Sequence, residues 1–151
     1  MTNSSSGNDP VLTSAMRGMS RAHIADIWKR GQNGDVLSSE DLSFYQAMID
    51  HPEYREIWQA AAELGDRDVL VDRVNPFLHV SLHSVIARQL AERNPPETEQ
   101  AIFRLTRAGL DHHEAQHRIA ALLTKLISET VQQGRAFGLE TYRRRLRSLK
   151  P

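Results

Sequence analysis

Apolar positions along the chain recur every three or four residues, and short polar or Gly/Pro stretches punctuate them. From Leu12 to Arg30 the period is helical, best defined after Ser20, and Gly31 and Gly34 read as its end. Ser38 or Ser39 caps a second helix reaching about Asp50, with Glu40 and Asp41 where the helix dipole favours negative charge. Pro52 can take the first position of a third helix ending at Gly65. Residues 66–74 carry no clear period, and a short extended piece there would have no partner strand. Asn75 caps a fourth helix that opens with Pro76 and runs to about Arg93. The Pro95-Pro96 pair interrupts the chain before a fifth helix, Glu97 to Ala108. Asp111 and Glu114 form a capping box at the head of a sixth, which stops at Gly134. A last helix spans about Leu139 to Leu149. Nothing alternates with the two-residue period of a strand. The pattern predicts an all-α fold, a single-domain helical bundle of about seven helices.

The two ends of the chain modify this picture. MTNSSSGNDP is a poor core former, so residues 1–12 are expected to form a flexible tail before an α-helical domain over 13–151. It has neither the basic nor the apolar region of a secretory signal. The longest purely apolar run, Ile119 to Leu123, is far short of a bilayer span, so no membrane is expected as a partner. Nineteen basic and 19 acidic residues balance, which excludes a globally basic nucleic-acid coat. The absence of cysteine excludes disulfides, thiolate metal sites and a cysteine nucleophile, and fits a cytoplasmic location. Charge is uneven, however: Gly134 to Pro151 holds six basic residues and one acid. With Leu139, Tyr142, Leu146 and Leu149 at helical spacing, residues 137–150 read as a basic amphipathic C-terminal helix. Leu139, Tyr142 and Leu146 are expected to face the body, and Arg143 and Arg147 to stay wet. Docking of this helix in cis or across a homodimer fits its two faces. No named nucleic-acid motif accompanies it, and nucleic acid is not an expected partner.

The candidate chemistry lies in the histidines. Of seven, six fall in three places: His51; His79 and His83; His112, His113 and His117. The pairs His79/His83 and His113/His117 have i, i+4 spacing, which puts both rings of a pair on one helix face and lets them chelate one ion. On the fourth helix Leu78, Leu82, Val85 and Ile86 are expected to be buried, with the histidines on the flank and Ser81, Ser84 and Arg88 towards solvent. On the sixth, Ile119, Leu122, Leu123, Leu126 and Ile127 make the stripe, with His113 and His117 on its edge. The fifth helix can reverse the chain so that the fourth and sixth pack side by side and the four rings converge near one end. Such a mononuclear site takes His79, His83, His113 and His117, with His51 as a further candidate, and suits zinc, nickel, iron or copper. His113 to His117 reads His-Glu-x-x-His, so Glu114 is the candidate base if the centre is catalytic. A zincin protease is not expected, because the chain offers no strand edge for substrate. A ferritin-like di-metal site fails on the count of Glu-x-x-His motifs. In a second reading the histidines are structural, forming hydrogen bonds at the core boundary, with His112 packed in the buried stripe, and the protein is a non-enzymatic interaction module using its basic helix.

Three segments, HPEY (His51 to Tyr54), NPFLHVSLHSVIARQL (Asn75 to Leu90) and DHHEAQH (Asp111 to His117), with Trp28 and Lys29 before them, resemble a bacterial family of uncharacterised proteins, the domain of unknown function 1841 family. The resemblance covers about residues 20–130. It implies no established activity. Arg55 and Gln116 depart from the family's pattern of a further histidine and an acidic residue, so neither is taken as a ligand. By spacing alone, His51, His113 and His117 are also similar to the one-early, two-late histidines of DinB-like bundles.

Overall fold

The computed structural model describes residues 10–151, with side chains from residue 20 onward. It is all-α. Among the described residues there are seven α-helices, a 3-10 turn and no strand; residues 66–74 contribute only an isolated bridge between Val71 and Val74. The expected tail is outside the described residues over 1–9, and the first helix already begins at Pro10. The chain divides into two compact units, Met1–Phe77 and Leu78–Pro151.

In the first unit, α1 (Pro10–Gln32) packs on α2 (Ser39–Ile49) and α3 (Arg55–Leu64). Ser38 caps α2 by accepting the Asp41 N–H at 3.1 Å. Pro52 opens a 3-10 turn, Pro52–Tyr54, which leads into α3 rather than being its first residue. Ile27, Met48 and Trp58 are buried, and the Trp58 indole N–H donates to the Met48 carbonyl at 3.3 Å. Arg21 is buried too: its Nη1 donates to the Gly65 carbonyl, and its guanidinium lies over the Phe77 ring 4.6 Å from the centroid. Gly31 does not end α1 as expected. It lies inside the helix, where the Tyr45 ring presses so close to the backbone that a Cβ would collide with it. The chain turns instead at Gly34, whose φ of +78° favours glycine.

The second unit has one core. Leu82 and Ile86 from α4 (Pro76–Glu92) meet Ala101, Ile102 and Leu105 from α5 (Pro96–Arg107). Ala115, Ile119, Ala120, Leu123 and Leu126 come from α6 (His112–Gln133), and Tyr142 and Leu146 from α7 (Leu139–Ser148). The basic helix is thus shorter than the expected 137–150. Leu139 is 53% exposed rather than facing the body, because it is the first residue of α7 and has no preceding turn to lie against. Arg143 and Arg147 are not simply wet either. Both grip Glu97, only 5% exposed, at 3.1 and 2.9 Å. These cations keep the Glu97 carboxyl below the usual carboxylate range, the Arg143 hydrogen bond contributing most. Gln89 Oε1 accepts from both Thr98 Oγ1 and the Tyr142 hydroxyl at 2.8 Å, and burial raises the Tyr142 pKa.

The face of α4 differs from the expected stripe. Val80, Leu82, His83, Ser84 and Ile86 are buried, while Leu78 and Val85 are each 43% exposed. The buried arc is centred near His83, so the histidines are in it rather than on its flank. Apolar residues occur on every side of α4, and counting histidine as polar turns the inferred stripe the wrong way. On α6 the expected stripe holds for Ile119, Leu123 and Leu126, while Ile127 is 39% exposed. His112 does not pack in that stripe. It is exposed, because as the first helical residue its side chain leans beyond the helix end.

Candidate metal centre

Two helix starts fix the site. On α4, Asn75 Oδ1 accepts the Phe77 N–H at 3.0 Å, and His79 and His83 follow within two turns. On α6 the capping box is complete: Asp111 Oδ1 accepts the Glu114 N–H at 2.8 Å, and Glu114 Oε2 accepts the Asp111 N–H at 2.9 Å. His113 and His117 project from the turn so fixed. Shared packing of Leu82 and Ile86 with Ala115 and Ile119 holds the two helices in one core.

The four imidazoles converge as the spacing predicts. His79 Nε2 lies 3.2 Å from His117 Nε2 and 3.2 Å from His83 Nε2. His83, His113 and His117 each bring a ring nitrogen within 4.8 Å of the others'. The His83 and His113 rings lie nearly parallel, with an interplanar angle of 7° and centroids 5.1 Å apart, and His113 and His117 are 4.2 Å apart. His83 is 5% exposed and the other three are half-buried, so the cluster sits at the edge of the core with one member inside it.

This meeting of nitrogens has a chemical consequence. A ring nitrogen of neutral imidazole is either an N–H donor or a lone-pair acceptor. His79 Nε2 faces two other Nε2 atoms, so hydrogen bonding alone forces one lone pair or one proton to serve both. A single cation takes all three lone pairs at once. A tetrahedral ion with metal–nitrogen bonds of about 2.0–2.1 Å separates its donors by about 3.3–3.4 Å, and an octahedral one separates neighbours by about 2.9 Å. The observed 3.2 Å lies between these values.

The other expected site residues fall as follows. His51, in the first unit, is buried; its Nδ1 lies 3.0 Å from Glu53 Oε1 and its ring stacks on Tyr54 at 5.7 Å. A carboxylate on Nδ1 fixes the tautomer whose Nε2 bears the lone pair. Glu114, the candidate base, spends one carboxylate oxygen on the cap and lines an open hollow with Leu110, His117 and Arg118. Arg118 and Leu110 were not among the expected site residues; the signal that would have found Arg118 is its place one turn after Glu114. The basic helix meets acids of its own unit: Arg143 and Arg147 meet Glu97, and Arg145 meets Glu129 at 2.9 Å. No helix among the described residues is long and apolar enough to cross a membrane.

These features define an all-α protein with a four-histidine cluster in its second unit. The chain belongs to the family described as Domain of unknown function (DUF1841), which matches residues 16–148. Neither the curated proteins nor the solved structures give a match.

Proposed function

We propose that this chain is a metal-binding protein whose His79, His83, His113 and His117 hold one divalent transition-metal ion, with zinc, nickel and iron as the candidates. The observation that carries this reading is the pair of 3.2 Å contacts made by His79 Nε2 with His83 and His117. Imidazoles on two helices aim their nitrogens at one another, and a cation resolves the competition among them. The donor set contains no thiolate and no carboxylate, which favours borderline ions over calcium or magnesium. The interaction-module alternative is less well supported, because three arginines of its basic helix are already paired with acids of the same unit. A base role for Glu114 competes with its capping bond.

The test is metal analysis of protein purified without a histidine tag, followed by titration of metal-free protein with zinc, nickel and iron(II). One equivalent per chain is expected. His79→Ala and His117→Ala should each weaken binding by more than the roughly 10–100-fold that follows loss of a ligand's outer hydrogen-bond partner. No uptake of any of these ions, or uptake unchanged in both variants, overturns the reading.

A further inference from the structure

We infer that the loaded centre takes a small oxyanion that also carries a hydroxyl group, of the hydrogen phosphate, hydrogencarbonate or hydroxycarboxylate type, in the open hollow beside His117. This inference rests on the metal reading above. The hollow is lined by Leu110, Glu114, His117 and Arg118, and His117 is at once its wall and a member of the cluster. Three features of that wall select the ligand.

The first is charge. All four donors are imidazoles, which ligate a metal without bringing negative charge, so a divalent ion keeps both positive charges, and an anion at the adjoining surface offsets them. The second is Arg118. It is exposed, follows His117 directly, and among the described residues no carboxylate pairs with it. A guanidinium presents forked N–H donors that match two oxygens of one anion. The third is Glu114. Its Oε2 is held on the Asp111 N–H at 2.9 Å, which keeps a carboxylate at the hollow's edge. That carboxylate repels a bare anion but accepts a hydrogen bond from a ligand's hydroxyl. An oxyanion with an O–H therefore satisfies both Arg118 and Glu114, and one without it satisfies only Arg118. Leu110 gives the hollow an apolar side against which a short carbon chain can rest.

The experiment uses the full chain loaded with cobalt(II), whose visible spectrum reports its ligands. The loaded protein is titrated with glycolate, hydrogen phosphate, acetate and chloride. Glycolate and hydrogen phosphate should produce saturable spectral changes, and acetate should bind about tenfold more weakly than glycolate for want of the hydroxyl. Arg118→Gln should weaken glycolate about tenfold or more while leaving cobalt affinity unchanged. Glu114→Gln keeps an acceptor for the cap and should bring glycolate and acetate within about twofold of each other. A cobalt-loaded protein whose spectrum ignores all four anions, or responds identically in Arg118→Gln, overturns the oxyanion site and leaves the metal reading standing. Failure to take up cobalt overturns both.

Discussion

His83 is the residue at which structural and metal-binding roles separate most sharply. It is 5% exposed, is centred on the buried arc of α4, and its Nε2 points at another imidazole. A buried polar ring is maintained either by its hydrogen bonds or by a ligand, and these alternatives respond differently to an apolar replacement. Replacing a buried polar group by an apolar one of similar size is often nearly neutral when the partner is also relieved, whereas breaking a required bond costs about 1–3 kcal/mol. His83→Leu is expected to leave metal-free stability within about 1 kcal/mol of native, because it also frees His79 from one of its two competing neighbours. It should weaken metal binding strongly. Urea unfolding in the presence of a chelator, beside a metal titration, measures both; a loss of several kcal/mol without metal would mark His83 as a structural residue. The i, i+4 spacing made this pair legible in the sequence. Its burial was not legible, because Leu78 and Val85 offered an equally apolar face and only the packing of Val80 and Ser84 chose between them.

Among the elements, α7 shows how an apparently free basic helix can be bound. Its Tyr142 and Leu146 are buried, and its Arg143 and Arg147 close on Glu97 at the start of α5. Leu146→Ala is expected to destabilise the second unit by about 2–5 kcal/mol through the cavity it leaves, read as a lower urea midpoint. The ion pairs add a pH dependence of definite sign. The Glu97 carboxyl is lowered from its ordinary 4.5, chiefly by its hydrogen bonds with Arg143. Its contribution is therefore complete above that ordinary value and disappears as pH falls through the lowered one. Glu97→Gln should be less stable than native at neutral pH, and the two proteins should converge in acid. A difference that persists unchanged at low pH would show that Glu97 acts through packing alone. Helix caps were the most legible features of the sequence, since Ser38 and the Asp111–Glu114 box act locally and need no tertiary partner. Gly31 was misread as a stop for the opposite reason: what requires glycine there is the Tyr45 ring, from a helix not yet placed. The same limit hid the partner of Arg143 and Arg147, 46 and 50 residues away.

At the scale of the molecule, the cluster joins parts of the chain that are distant in sequence, and that gives metal binding a thermodynamic consequence. His79 and His117 are 38 residues apart, with the whole of α5 between them. An unfolded chain presents each i, i+4 pair only in those conformations that happen to be helical, and it brings the two pairs together only by closing the loop between them. The complete four-nitrogen set therefore exists in the folded second unit and not in the unfolded chain. An ion that binds the native set selectively stabilises it by about 2.7 kcal/mol when present at a hundred times its dissociation constant. Thermal unfolding should accordingly shift upward with added zinc or nickel, in proportion to the logarithm of free metal, and fall back with a chelator. The double variant His79→Ala/His117→Ala should show no such shift, because each helix then keeps a single imidazole of the cluster and chelation by an i, i+4 pair is lost along with the bridge between helices. Equal midpoints with and without metal in the native protein would mean that the four rings meet without a cation, and that their contacts belong to the packing of α4 against α6.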